Sequence, residues 1–266
     1  MERPFEMKIS ACITAGNEED KIAACLKSVA WCDEVIVVDS FSKDRTVEIA
    51  KRYATRVEQH EWGGYIAQKN YIRQLAKYPW IFFVDADEVV SDGLRKEIEE
   101  MFEKGVGDTA GFQMPRMVWY LGKWIRHGEW YPDLKMRLFR KDRGYSAGEE
   151  PHDRVVVDGP VHTFRNPLYH FTYDNMVDHL NTLNRFSTIS AQQKAKHGKR
   201  VGLTALLFRP WWRFFRGYVL QRGFLDGMAG LIVACLSGYG VFIKYAKLYE
   251  ISRAEKTGTG MPDARG

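Results

Sequence analysis

The stretch WIFFVDADE, residues 80–88, is the part of the sequence that decides the fold. Its first five residues are aromatic or β-branched, which is typical of a strand buried on both faces. Three carboxylates follow within four positions, and Asp85 and Asp87 are close enough to face one ligand. Such oxygens suit a divalent cation, Mg²⁺ or Mn²⁺, which can in turn hold a phosphate. A polar strand end leading into a helix capped at Ser91 explains the same residues without a ligand.

Strands and helices alternate through the first half of the chain. A short strand over 8–14 precedes a helix expected to begin at Asn17, and a second apolar run ends at Asp39. A third strand near Val57 is flanked by helices, the later of them over 67–77. This order predicts an α/β fold with a Rossmann-like, mostly parallel central sheet, right-handed crossovers and flanking helices.

Polar residues follow several of the predicted strands at the edge where such sheets bind ligands, beyond the strand carboxyl ends. Asn17 and Glu18 follow the first strand, Asp39 ends the second, and the acids at 85–88 end the last. Their shared edge predicts a binding site. The chain contains neither G-x-G-x-x-G nor G-x-x-x-x-G-K-[ST], so the dinucleotide and P-loop interpretations lose their main support. A nucleotide held by acids and a metal ion remains.

An aromatic, glycine-spaced loop over 119–132 lies between two further predicted strands. The faces of Trp124 and Trp130 beside His127 suit stacking and hydrogen bonding to a sugar. A plain structural loop explains the same composition equally well.

A charged segment, GEEPHDR over 148–154, precedes a run of valines. Its acids make Glu150 and Asp153 candidates for acid/base chemistry, although a solvated charged loop is the simpler interpretation. His170 lies among aromatic residues, where a histidine is more often a core residue than a ligand.

The C-terminal part is predicted to be helical and associated with a membrane. Residues 201–218 are dense in Trp, Phe, Leu and Arg, as in a segment lying in the membrane interface. Residues 227–243 form a run of 17 uncharged residues, the lower limit for a span, which favours an interfacial or re-entrant helix pair over a spanning helix. A soluble helical hairpin is the alternative. The expected division is a catalytic domain over 7–200, a helical membrane-associating region over 201–253 and a disordered tail over 254–266.

Composition limits the compartments and the kinds of partner that are expected for this protein. The 266 residues carry a net charge of +5, and the basic residues cluster with Trp and Phe, which argues against nucleic acid as a partner. The four cysteines show no metal-binding spacing, which favours a reducing compartment. Residues 1–7 lack the apolar run of a signal peptide, so a cytoplasmic protein is expected. The oligomeric state is left open.

An ordered set of motifs resembles the family 2 glycosyltransferases of the GT-A fold, from Lys8 to about Glu250. In chain order the motifs are TAGNEE (14–19), VIVVDSFSKDRTVEIA (35–50), HEWGGYIAQKN (60–70), FVDADEVV (83–90), YLGKWIRHGEWYPD (120–133), MRLFRK (136–141), GFLDG (223–227) and KYAKLYE (244–250). Within that family the chain is similar to bacterial lipopolysaccharide-core β-1,4-glucosyltransferases that act on heptose.

The resemblance implies a donor site for a nucleotide sugar. Asn17 and Glu18 would lie near the base and ribose, and Asp39 would contact the nucleoside. The resemblance further implies that Gln68, Lys69 and Asn70 line the site, Lys69 toward the phosphates, and that Asp85 and Asp87 hold the metal bridging the diphosphate.

The resemblance also implies a catalytic base after the MRLFRK motif. The family usually shows V-H-E there, whereas this chain has Pro151-His152-Asp153, in which the carboxylate reaches one methylene less far. Asp153 is the expected base and Glu150 the second candidate. One base without a carboxylate nucleophile fits a single displacement with inversion at the anomeric carbon.

The function expected from the sequence is an inverting, metal-dependent glycosyltransferase. It would move a hexose, with UDP-glucose the expected donor, onto a lipid-linked glycan such as a lipopolysaccharide inner core. It would be held peripherally at the inner face of the cell membrane. Alternatives are a polyprenyl-linked or protein acceptor, or a catalytically silent sugar-nucleotide binder serving as a membrane adaptor.

Overall fold

The computed structural model describes residues 4–150, 152–199 and 201–257, in two compact units. The first unit comprises Met1–Trp119 and Tyr131–Thr172, and the second comprises Tyr120–Trp130 and Tyr173–Gly266.

The strands and helices, in chain order, are β1 (Ile9–Ala15), α1 (Ile22–Ser28), β2 (Glu34–Asp39), α2 (Thr46–Ala50), β3 (Arg56–Gln59), α3 (Tyr65–Leu75), β4 (Trp80–Asp85), β5 (Glu88–Val90), α4 (Asp92–Lys104), β6 (Gly111–Tyr120), β7 (Lys123–Trp124), β8 (Asp133–Arg140), β9 (Gly144–Glu149), β10 (His152–Val157), β11 (Val161–Thr163), β12 (Leu168–His170), α5 (Met176–Lys196), α6 (Leu203–Phe215) and α7 (Gly227–Thr257).

The first half of the first unit is the predicted parallel sheet. Its strands run in the order β3-β2-β1-β4, and all three pairings are parallel. Ala15 of β1 lies opposite Asp39 of β2, and Thr14 lies opposite Asp85 of β4. The carboxyl ends of these strands therefore share one edge, as the sequence predicted.

Beyond β4 the sheet becomes mixed, with antiparallel pairs beside the parallel pairs that β6 makes with β11 and β12. β8 inserts between β4 and β6 and pairs antiparallel with both. Antiparallel neighbours need no crossover helix, which fits the few helices in this part of the unit. The insertion places Arg137 of β8 beside the end of β4, where it contacts the carboxylates described below.

The predicted helix start at Asn17 is wrong. Helix α1 begins at Ile22, and Asn17 has a φ of 56°, a left-handed conformation that asparagine tolerates. The Asn17 side-chain oxygen accepts a hydrogen bond from the Lys43 backbone N–H at 2.9 Å, so it holds the loop after β2 instead of capping a helix. The predicted cap at Ser91 is confirmed, because its hydroxyl accepts from the Leu94 N–H at 3.1 Å.

The core of the first unit is built from the apolar runs that the sequence shows. Trp80 and Phe82 of β4 are buried, and the Trp80 ring lies 5.7 Å from the Phe112 ring of β6. Removing large aromatic surfaces from water is the main stabilisation of such a sheet. It fixes the strand ends that carry the polar residues.

The second unit is mostly helical. Its packed residues include Ala191 of α5 with Tyr245 and Leu248 of α7. One helical segment, Gly223–Ala254, is long and apolar enough to cross a membrane by length and composition. Helix α7 continues to Thr257, past the boundary predicted at 253, and good helix formers such as Ala254 favour this continuation. Residues 258–266 of the predicted tail lie outside the described residues.

A buried histidine gives the second unit a pH-dependent stability. The Nδ1 atom of His179 is hydrogen-bonded to the Tyr120 hydroxyl at 2.7 Å. The His179 ring stacks on the Tyr173 ring, with the ring centroids 4.2 Å apart. Burial lowers the pKa of His179 from 6.5 to about 4. The unfolded chain therefore takes up a proton before the folded one does, and stability decreases as the pH falls through this window.

We expect protonation of His179 to lower the free energy of unfolding by about 3 kcal/mol as the pH is lowered from 7 to 4. Urea unfolding of the wild type and of His179→Gln at several pH values measures this decrease. The variant should show a smaller dependence of the free energy of unfolding on pH, that is, a smaller slope. His197→Gln, which changes an exposed histidine at the end of α5, should keep the slope. Equal slopes for wild type and His179→Gln would contradict the prediction.

Candidate active site

The centre of the candidate site is Lys69, a buried lysine of α3. Its ammonium lies 3.1 Å from the Asp85 carboxylate at the end of β4 and 3.0 Å from the Asp153 carboxylate of β10. Its side chain is only 7% exposed, and those of Asp85 and Asp153 are 29% and 17% exposed. The structure thus brings together three of the predicted site residues from three separate elements.

A second cation contacts the other oxygen of the Asp85 carboxylate at the end of β4. Arg137 of β8 contacts Asp85 at 2.5 Å and Glu88 at 2.5 Å, and Glu88 is fully buried. Glu88 also accepts a hydrogen bond from the Asp85 backbone N–H at 3.0 Å. Burial raises the pKa of the Asp85 carboxyl, but Arg137 and Lys69 outweigh it and hold that pKa well below its usual range. Asp85 is therefore ionised at neutral pH.

Asp87 pairs with a histidine that the sequence analysis interpreted as a core residue. His170 of β12 places its Nε2 atom 3.0 Å from an Asp87 carboxylate oxygen, and β12 pairs antiparallel with β5. Burial raises the pKa of Asp87, but His170 contributes enough to bring it below its usual value. The Nδ1 atom of His170 is buried and has no hydrogen-bond partner among the described residues. His170 therefore contacts a predicted site residue, a contact that the sequence analysis did not anticipate.

Asp87 and His170 could hold a divalent cation. Their 3.0 Å separation is that of a hydrogen bond, and two adjacent ligands of an octahedral ion, each about 2.1 Å from it, lie about as far apart. An imidazole with a carboxylate suits Mn²⁺ better than Mg²⁺. No cluster of three or more potential metal ligands occurs in the part of the chain that the structure describes, and ions of this type commonly complete their shell with substrate phosphates and water.

The Asp85 carboxylate has a different environment from that of Asp87. Its two oxygens face Lys69 and Arg137, so both are already engaged by cations. That Asp85 itself ligates a metal stays a prediction.

The residues predicted to contact the nucleoside lie at the ends of β1 and β2. The Asp39 carboxylate is buried and accepts hydrogen bonds from the Ser42 N–H at 2.9 Å and from Gln59 at 3.1 Å. Asn17 donates its backbone N–H to the Ser42 hydroxyl at 2.8 Å. The Glu18 N–H donates to the Thr46 hydroxyl at 2.8 Å. These bonds fix the loops beside the sheet edge.

The other predicted donor-site residues on α3 hold neighbouring backbone in place. Asn70 makes two hydrogen bonds with the backbone of Ser146 on β9, at 2.8 and 3.0 Å. Gln68 bonds the Ser40 hydroxyl at 3.0 Å and the His60 ring at 2.9 Å. Glu150 accepts from the Ile66 N–H at 3.0 Å, at the first turn of α3. Glu150 is thus bound to α3, whereas Asp153 reaches Lys69.

Residues 120–130 of the aromatic loop belong to the second unit. Trp130 lies 5.2 Å, between centroids, from the Tyr120 ring and 5.5 Å from the His179 ring, within an aromatic cluster. Trp124 is partly exposed on β7. His127 contacts the Asp226 carboxylate at 3.1 Å. Pro151, next to the predicted base, lies outside the described residues.

Arg116 and Arg137 were also missed by the sequence analysis. Arg137 belongs to the MRLFRK motif, and an arginine between apolar residues of a strand is the signal that could have identified it, since a buried arginine needs carboxylate partners. Arg116 contacts Asp133 at 2.7 Å and lies 3.7 Å from Glu88, so it extends the same network.

The parallel sheet edge with its acidic strand ends belongs to a fold of the GT-A type. A mannosyltransferase of Pyrobaculum calidifontis, solved with GDP-Man and Mn²⁺, shares this fold with a TM-score of 0.52 and 14% identity, covering 93% of this chain and 87% of that one. S. aureus TarS in complex with UDP-GlcNAc has a TM-score of 0.50 and 15% identity, covering 93% and 92%.

Sequence relatives give the family. The model of glycosyl transferase family 2 matches residues 10–192. LpsC of Rhizobium meliloti, a lipopolysaccharide core biosynthesis glycosyltransferase, is 29% identical over 252 residues, which cover 92% of this chain and 93% of LpsC. An uncharacterised glycosyltransferase of Rickettsia typhi is 30% identical over 258 residues, covering 92% and 88%. The chain belongs to glycosyl transferase family 2, and it is a glycosyltransferase.

Proposed function

We propose that this enzyme transfers a hexose, with UDP-glucose as the expected donor, by a single inverting displacement that depends on a divalent metal. The observation that carries the proposal is the position of Lys69, whose ammonium lies between Asp85 and Asp153. It joins the strand end expected to face the diphosphate to the carboxylate expected to act as base.

Different charged groups would serve the leaving diphosphate and the attacking hydroxyl. Lys69 supports departure of the diphosphate by offsetting its negative charge. A cation held by Asp87 and His170 would supply the rest of that neutralisation. Asp153 lies on the antiparallel hairpin formed by β9 and β10 and would accept the proton of the attacking hydroxyl. Its contact with Lys69 keeps the carboxylate oriented.

The acceptor that fits best is a lipid-linked glycan such as a lipopolysaccharide inner core. One support is the similarity to LpsC, a lipopolysaccharide core biosynthesis glycosyltransferase. Another is the apolar C-terminal region, in which the side chains of Trp211 and Trp212 of α6 are 56% and 43% exposed. Exposed tryptophans beside arginines suit the membrane interface, so the enzyme would sit peripherally on the inner face of the cell membrane. A polyprenyl-linked or protein acceptor would use the same donor site.

A screen of nucleotide sugars tests this function. The purified full-length chain is incubated with UDP-glucose, UDP-galactose, UDP-GlcNAc and GDP-mannose, with Mn²⁺, with Mg²⁺ or with chelator, and release of the nucleoside diphosphate is measured. We expect release from a UDP-hexose that requires metal. Binding without release for every donor would remove the proposed transfer and leave the silent-binder alternative, and absence of binding for every donor would contradict both.

The metal pair gives a prediction of its own. Asp87→Asn and His170→Gln should each weaken Mn²⁺ binding by about 10-fold or more, because each removes one protein ligand. Calorimetry or the Mn²⁺ resonance spectrum in the presence of UDP reports binding without any turnover. Asp92→Asn, an exposed acid in the first turn of α4, is the control and should bind as the wild type does. Unchanged Mn²⁺ affinity in both site variants would place the metal elsewhere.

A further inference from the structure

Asp226 in the second unit is a nearly buried carboxylate that the donor site does not use. Its side chain is 5% exposed. One of its oxygens accepts hydrogen bonds from the backbone N–H groups of Arg126 at 3.0 Å and His127 at 2.8 Å. The other lies 3.1 Å from Nδ1 of His127. A residue a hundred positions away in the sequence therefore fixes both the backbone and the ring of His127.

Close packing of backbone around Gly223 and Gly230 fixes the position of Asp226. It ends a short 3-10 helix, Gly223–Asp226, that leads into α7. A Cβ atom at Gly230 would lie 1.9 Å from the Gly223 carbonyl oxygen, and one at Gly223 would lie 2.7 Å from that of Gly217. Only glycine allows these approaches. The GFLDG motif thus holds the carboxylate rigidly under the loop that carries His127.

This arrangement presents one ring nitrogen of His127 outward. An ionised carboxylate only accepts, so Nδ1 carries the proton that it donates to Asp226, and Nε2 faces away. The side chain is 36% exposed, and the described residues offer Nε2 no hydrogen-bond partner. A carboxylate that orients a histidine in this way is a common means of preparing the ring to bind or accept a proton.

Basic residues are frequent around the segment that carries His127. The Lys123 ammonium donates to the Asp226 backbone carbonyl at 2.9 Å, and the neighbouring Arg126 is exposed. The other buried carboxylate of this segment, Glu129, is already paired with Arg213 and Arg216. The local charge is therefore positive, and an anionic group is the ligand that it favours.

We infer that His127, oriented by Asp226 and accompanied by Lys123, binds an anionic group on the acceptor glycan, a phosphate or a sugar carboxylate. The inference rests on the proposed function, because it assumes a glycan acceptor. It assigns acceptor recognition to the second unit and gives Asp226 the role of a positioning residue. Lys123 supplies charge, and His127 donates a directed hydrogen bond from Nε2 as the imidazolium, which forms when the anionic group binds beside it.

The test separates acceptor binding from donor chemistry. Rough lipopolysaccharide is the acceptor probe, used untreated and after phosphatase treatment, and donor hydrolysis without acceptor is measured in parallel. His127→Gln should raise the KM for the untreated acceptor about tenfold or more and leave donor hydrolysis within about twofold. His197→Gln, an exposed histidine of the same unit, should change neither quantity.

The remaining outcomes are also decisive. Inorganic phosphate should compete with the acceptor in the wild type and less strongly in His127→Gln. If phosphatase treatment removes the difference between these two proteins, the bound group is a phosphate; if the difference persists, it is a carboxylate. Asp226→Asn should raise the acceptor KM with kcat nearly unchanged. Should that variant fail to fold, the partly exposed His127 decides the question alone.

Two failures can be told apart. A wild-type enzyme that releases no nucleoside diphosphate from any donor contradicts the proposed function. A wild-type enzyme that transfers normally, with a folded His127→Gln variant of unchanged acceptor KM, overturns only the role assigned to His127.

Discussion

Asp153→Asn is expected to lower the rate of sugar transfer by about 10²–10⁴-fold, because the variant lacks the carboxylate that we propose accepts the proton of the acceptor hydroxyl. Donor binding should change far less, since Lys69 keeps its contact with Asp85. The measurement is single-turnover transfer from the preferred donor, together with donor affinity by calorimetry. The amide is nearly the same size as the carboxylate, so the hairpin that carries residue 153 should keep its pairing.

Two further variants give this prediction its controls. Asp158→Asn changes an exposed acid just after β10 and should transfer at the wild-type rate. Glu150→Gln removes the second candidate, whose carboxylate accepts from the Ile66 N–H, and should cost much less than Asp153→Asn. If a folded Asp153→Asn protein keeps near-normal turnover while Glu150→Gln loses it, the base is Glu150.

Arg137→Met should lower the free energy of unfolding by about 3–5 kcal/mol, because it leaves the buried Glu88 carboxylate without its closest cation. Glu88 is fully buried, and Arg116, at 3.7 Å, is too distant to replace the 2.5 Å contact with Arg137. Urea unfolding at neutral pH measures the loss. Activity should fall as well, since Arg137 also holds Asp85.

The same strand provides a matched control. Arg140 of β8 pairs with the exposed Asp142, and such a surface pair contributes only about 0–1 kcal/mol. Arg140→Met should therefore be much less destabilising than Arg137→Met. Adding Glu88→Gln to Arg137→Met should recover part of the lost stability, because it removes the unpaired charge. Equal destabilisation by the two arginine substitutions would show that burial of Glu88 is not the cause.

Much of the first half of the fold could be predicted because its signals are local. The apolar run of β2 ends at Asp39 as expected, and the last parallel strand, β4, ends at Asp85. A strand's buried face is encoded in neighbouring residues, and the parallel order follows from alternating strands and helices. The start of α1 was placed wrongly because Asn17 holds a distant loop, a role that competes with capping and leaves no local signal.

The site was only partly accessible from the sequence. The acids at 85–88 stand out because they interrupt an apolar run, and Lys69 and Asp153 were singled out by resemblance to the family. His170 was interpreted as a core residue because nothing near it in the sequence points to a ligand. Its contact with Asp87 depends on β12 pairing with β5, and these strands lie far apart in the chain.

The sequence by itself determined the parallel α/β half, the edge at which ligands are expected to bind and the acidic end of β4, because each is encoded in short apolar and polar runs. Only the tertiary structure decided what those acids do. It brings Arg137 to Asp85 across 52 residues, His170 to Asp87 across 83 and Asp153 to Lys69 across 84. Such pairings arise where antiparallel β8 and the later strands pack against the parallel sheet, and chemistry that depends on distances between remote side chains leaves no periodic trace in the sequence.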